Sequence, residues 1–145
     1  MNIAERTASV GRYVAFFESL SPDTLPELSQ HVTDDVHFRD PFNDFTGRPR
    51  MERAFRHMFK LLDEVRFEVL DVAHSDTAAY LRWTMVYRRK QGPERRIEGM
   101  SEIALSEDGR VSAHIDHWDA AGQLYERLPV IGGILRSLRR RLQVD

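Results

Sequence analysis

Along the first twenty residues the apolar positions Val10, Tyr13, Val14, Phe17 and Leu20 recur three and four apart, which predicts an amphipathic helix ended by Ser21-Pro22-Asp23. Leu25, Leu28 and Val32 predict a short second helix before Asp34-Asp35. The period then drops to two. Val36, Phe38 and Asp40 share one face of a strand, His37 and Arg39 take the other, and Pro41 closes it. After a loop from Phe42 to Gly47, a third helix starts with Pro49 in its first turn, where the missing N–H is harmless, and carries Met51, Ala54, Phe55, Met58, Phe59 and Leu62 as its stripe.

Beyond Asp63 the pattern predicts a meander of strands over Val65 to Ala73, Thr77 to Arg89, Arg95 to Ser106 and Arg110 to Asp119. Breaks fall at His74-Ser75-Asp76, Lys90 to Glu94 and Glu107-Asp108-Gly109. Leu81, Trp83, Met85 and Tyr87 share a face, as do Ile97, Gly99, Ser101 and Ile103. In the last strand, alternation puts Val111, Ala113, Ile115 and His117 on one side and Ser112, His114, Asp116 and Trp118 on the other. An imidazole, a carboxylate and an indole in one row fit a semi-polar ligand pocket better than a solvated face.

Three helices followed by an antiparallel or mixed sheet define an α+β class, in which helices pack on the concave face of a curved sheet and leave a cone-shaped interior. The expected division is an α+β domain over residues 1–127 and a helical extension over 128–145. In the extension Val130, Ile131, Ile134, Leu135, Leu138 and Leu142 form a stripe, while Arg136, Arg139, Arg140 and Arg141 gather near the helix end. The extension is expected to pack over the cavity mouth or a neighbouring subunit, with docking on anionic lipid or an acidic partner as the alternative.

Composition adds exclusions. The 145 residues, 41% hydrophobic, suit one core and a small cavity, and a net charge of −2 with interspersed signs is no nucleic-acid footprint. Without cysteine there can be no disulfide, thiolate nucleophile or Cys-ligated metal. No apolar run approaches a membrane span, and the expectation is a cytoplasmic protein. His114, Asp116 and His117 do not share a face, and no His-Glu-x-x-His spacing exists, so no metal and no cofactor is expected. The aliphatic row Val111, Ala113 and Ile115, with Val86 interrupting the polar row Arg82, Thr84 and Arg88, predicts a homodimer through the outer sheet face.

The stretches D-D-V-H-F-R-D-P-F at 34–42, G-R-P-R-M-E-R-A-F at 47–55, D-G-R-V at 108–111 and H-W-D at 117–119 resemble the nuclear transport factor two-like superfamily, which has a cystatin-like roll. Trp118 to Pro129 resembles the ending of a bacterial SnoaL-like subgroup. The superfamily includes ketosteroid isomerase, SnoaL-like polyketide cyclases and limonene epoxide hydrolase. The resemblance implies Asp40 at the position of the isomerase general base and Tyr13 at that of the oxyanion-donating tyrosine. Ser101 stands where the isomerases place a protonated aspartate, and Phe55 where they place a supporting tyrosine. Asp116 lies where SnoaL-like cyclases supply an acid–base carboxylate.

Asp40, Asp116, His114 and Tyr13 are therefore the candidate catalytic groups. Phe17, Phe38, Phe42, Phe55, Met58, Trp83, Met85, Ser101 and Trp118 are the candidate lining of a pocket for a small hydrophobic ligand. Two functions fit these residues. One is an isomerase-, cyclase- or hydrolase-type enzyme acting by acid–base catalysis on a carbonyl-containing ligand. The other is a non-catalytic module that holds a hydrophobic ligand or dimerises, with Asp40 bonding the N–H groups of its own turn.

Overall fold

The computed structural model describes residues 1–144 in full apart from the side chain of Glu126. Helix α1 (Ile3–Glu18) begins at a reciprocal cap in which Asn2 Oδ1 accepts from the Glu5 N–H and Glu5 accepts from the Asn2 N–H. Its buried side is Val10, Tyr13, Phe16 and Phe17, so the stripe includes Phe16 as well as the residues expected from spacing. A 3₁₀ turn (Leu25–Glu27) runs into α2 (Leu28–His31) and directly into β1 (Val32–Arg39). β2 (Asp44–Thr46) folds back antiparallel on β1; three residues are too few to show a period, and the sequence reads as loop there. Gly47, at φ 117°, supplies the left-handed corner that starts α3 (Arg48–Leu61).

The remaining strands are β3 (Leu62–His74), β4 (Ala79–Arg89), β5 (Glu94–Leu105) and β6 (Val111–His117). They form one curved six-stranded sheet in the order β2-β1-β6-β5-β4-β3, antiparallel except for the parallel pair β1 and β6. Helices α1 and α3 pack into its concave side and enclose a single core. Three short pieces follow: α4 (Ala120–Gln123), a 3₁₀ turn (Tyr125–Arg127) and α5 (Ile131–Leu142). None of the described helices is long and apolar enough to cross a membrane.

Two expectations need correction. Strict alternation puts Val111 on the outer face, yet it is a core residue, because Leu105 pairs with Val111 while Ala104 pairs with Ala113. Ser112 is thus the extra residue of a bulge that turns Val111 inward. The expected extension, 128–145, is helical over Ile131–Leu142, and Asp145 lies outside the described residues. It does not cover the cavity: no described residue beyond Leu124 lines it, and α5 rests chiefly on the turn Tyr125–Arg127.

Candidate functional site

The inner row of β4, Leu81, Trp83, Met85, Tyr87 and Arg89, forms one wall of a cavity of about 320 Å³ between sheet and helices. Phe17 of α1, Phe55 and Met58 of α3, Phe38 of β1 and Trp118 after β6 supply most of the rest. Exposed Phe42, His57, Leu61 and Arg89 mark the mouth. Such a mainly apolar hollow with few polar groups is the usual form of a small-molecule site.

Its polar end is a continuous chain of side-chain hydrogen bonds. Trp83 Nε1 donates to Ser101 Oγ at 2.8 Å, and Ser101 Oγ donates to Asp116 Oδ1. The same carboxylate oxygen meets His114 Nε2 at 2.7 Å, and His114 Nδ1 meets the Tyr13 hydroxyl at 2.7 Å. The donors can be assigned. Tyr13 is fully buried, and burial, reinforced by the negative charge of Asp116, pushes its pKa well above that of an ordinary phenol. It keeps its proton, and because His114 Nδ1 is its only hydrogen-bond partner among the described residues, that proton is directed to Nδ1. The imidazole proton then sits on Nε2 and is given to Asp116. An indole can only donate, so Ser101 accepts from Trp83 and passes its own proton to Asp116. Every hydrogen in the chain is directed toward Asp116 Oδ1. Its Oδ2 makes no hydrogen bond to a described residue, and Asp116 lines the cavity while remaining only 17% exposed.

Three elements create this arrangement. Ser101 and Asp116 are register partners across β5 and β6, and Leu81 is the partner of Ser101 on β4, with Trp83 one inward position further along. Gly99, opposite Trp83, leaves room for the indole, since a Cβ there would lie 2.6 Å from Trp83 Cζ2. The imidazole of His114 is walled by the rings of Phe17 and Phe38, with centroids at 5.2 and 5.4 Å.

All nine expected lining residues border this one cavity, as do Asp40, His114 and Asp116. Asp40 is held differently from Asp116. Its Oδ1 accepts the N–H groups of Phe42 at 2.8 Å and Asn43 at 2.7 Å, and the Asn43 amide approaches both oxygens at 3.2 Å. Asp40 thus organises the rim turn, an Asx arrangement consistent with the structural reading of D-P-F. Tyr13 is not a lining residue. Its hydroxyl stands behind His114 and bonds the imidazole, whereas the donor role implied by resemblance would place it against the cavity.

Sequence reasoning did not single out Tyr87, Arg89, His57, Asn43, Phe67 or Leu124, all of which border the cavity. The signal for Tyr87 was present in its period-two row with Trp83 and Met85. Tyr87 is 5% exposed, and its hydroxyl makes no hydrogen bond to a described residue. Among the described residues no group of three or more His, Asp or Glu side chains is arranged to hold a metal ion.

A cone of helices in a curved mixed sheet, closed around an apolar cavity with buried polar groups at its base, defines a nuclear transport factor two-like pocket domain. Residues 13–114 match the model of the SnoaL-like domain, and the chain belongs to that family. Solved structures share the fold at low identity. A nuclear transport factor two-like protein of unknown function from Burkholderia pseudomallei superposes with a TM-score of 0.69 at 16% identity, over 84% of this chain and 95% of its own. An M. tuberculosis LEH-like epoxide hydrolase gives 0.65 at 15% identity over 96% of each chain. A candidate SnoaL-like polyketide cyclase from Jannaschia sp. CCS1 gives 0.70 at 9%, over 82% of this chain and 88% of its own. No curated protein sequence matches the chain.

Proposed function

We propose that this protein is a cofactor-independent acid–base enzyme of the isomerase or cyclase type, acting on a largely apolar, carbonyl-containing ligand. The observation that carries the proposal is the asymmetry of Asp116: Oδ1 is held by Ser101 and His114, while Oδ2 is left for a ligand in an apolar hollow. In the reaction, Oδ2 removes a proton from carbon alpha to the carbonyl. The C–H pair becomes the enolate, and the acid formed returns the proton to another carbon or to oxygen. His114 and Tyr13 position the base, and Tyr87 binds a second polar group of the ligand nearer the mouth. The two ends suit an elongated molecule, since the seven β4 residues from Leu81 to Tyr87, six steps of about 3.3 Å each, span roughly 20 Å.

Solvent deuterium exchange into a panel of apolar cyclic ketones, followed by NMR, tests the proposal. Wild type should exchange alpha protons above the buffer rate and Asp116→Asn should fall by about 10²–10⁴-fold, while quenching of Trp83 and Trp118 fluorescence shows that binding persists. Tyr87→Phe should weaken binding more than exchange at saturation. Binding without exchange in the wild type would replace the enzyme by the module that merely holds such a ligand.

A further inference from the structure

Helix α5 carries Ile131, Ile134, Leu138 and Leu142, each more than half exposed, and the cavity uses none of them. At about 3.6 residues per turn they form one stripe together with Leu135. Arg139 and Arg141 border this stripe on opposite sides, while Arg136 and Arg140 lie toward the far face. The helix has four arginines and no acidic residue, whereas the whole chain carries a net charge of −2. Its positive charge is therefore local to this element and opposite in sign to the rest of the molecule.

We propose that α5 docks in the plane of an anionic lipid bilayer, with the apolar stripe at the acyl boundary and the arginines among the headgroups. An amphipathic helix with basic residues along both margins is built for that interface, because long arginine stems lie along the apolar layer while their guanidinium groups stay with the phosphates. A second copy pairing stripe to stripe would set arginine margins against each other, whereas anionic headgroups neutralise them. Docking also bears on the cavity. Tyr125, in the turn on which α5 rests, meets Phe42 at the rim with ring centroids 6.1 Å apart, so the mouth is brought toward the lipid surface.

The full chain is co-sedimented with vesicles of phosphatidylcholine alone and with vesicles in which one third of the lipid is phosphatidylserine. At low salt, retention should be at least about tenfold higher on the anionic vesicles, as surface attraction of several basic residues requires. It should vanish near ~1 M salt, where the screening length is about 3 Å. Leu138→Asp, and separately Arg140→Glu with Arg141→Glu, should each abolish retention with thermal unfolding unchanged, since these side chains are exposed. Equal retention on both vesicle types, or none on either, overturns the proposal. So does light scattering in which Leu138→Asp halves the particle mass while vesicle retention stays as in wild type, an outcome that assigns the stripe to a second copy.

Discussion

Replacing Ser101 by alanine tests the polar chain where its connections are clearest. Ser101 is 2% exposed and joins Trp83 Nε1 to Asp116 Oδ1. Alanine fits the space but removes an acceptor and a donor together. The buried indole N–H then has no partner, which costs about 1–3 kcal/mol, and a hydrogen bond to a charged group worth about 1.5–3 kcal/mol is lost. Partial relaxation makes the two less than additive, so a destabilisation of about 2–4 kcal/mol is expected from these bonds. The control is a double-mutant cycle with Trp83→Phe. Once the indole is gone, Ser101→Ala no longer strands its N–H, and the cycle should return a coupling of about 1–3 kcal/mol. Urea unfolding followed by far-ultraviolet circular dichroism measures all four proteins, with equal slopes required before midpoints are converted. A single-mutant cost below about 0.5 kcal/mol, or strict additivity in the cycle, would refute the chain as a coupled unit.

Other expectations follow from the same contacts. Gly99→Ala should destabilise by about 1–3 kcal/mol through overpacking, because its Cβ meets Trp83 at 2.6 and 2.7 Å and Trp118 Cβ at 3.0 Å; a wild-type melting temperature would contradict this close approach. Tyr13 keeps its proton in the fold at pH values where the unfolded chain, with an ordinary value of 10.0, loses it. Its contribution is therefore complete below that value and declines as pH rises beyond it. Tyr13→Phe should lower stability at neutral pH by about 1–3 kcal/mol by stripping His114 Nδ1 of its donor, yet flatten the alkaline decline in urea midpoints; parallel declines would oppose the assignment. On the outer sheet face, Met100 is 47% exposed between Arg82 and His117, its register partners. A dimer through this face is expected by light scattering, with Met100→Glu shifting it to monomer, and a monomeric wild type would rule it out.

The fold was legible because long strands and helices carry their period locally. Leu81 through Tyr87 and Met51 through Phe59 announce which side is inward without reference to any partner. Legibility failed where one residue breaks the count, as at Ser112, whose bulge moves Val111 from the outer row to the core. It failed also for β2, whose pairing with β1 decides its conformation. The site was readable as a set of aromatic and acidic residues on inner rows. Its wiring was not, since Tyr13 and His114 are 101 positions apart and nothing local tells a ligand-facing hydroxyl from one set behind an imidazole. Asp40 shows the same limit: D-P-F fits both a base and a turn, and the bonds from Phe42 and Asn43 reveal how its Oδ1 is held.

The polar chain behind Asp116 is a wire closed at both ends. At one terminus stands an indole, which cannot take up a proton; at the other, a phenol whose only hydrogen-bond partner among the described residues is His114. Reversing the donors would leave the phenol proton pointing at nothing, so there is no inward route along which charge can drain. In the proposed reaction, a proton captured at Oδ2 therefore leaves by the cavity side from which it came. That directionality suits reactions that relocate a hydrogen within one molecule, because the carboxyl group returns to its starting state when the product departs. It disfavours any cycle that would deliver a net proton to the protein interior.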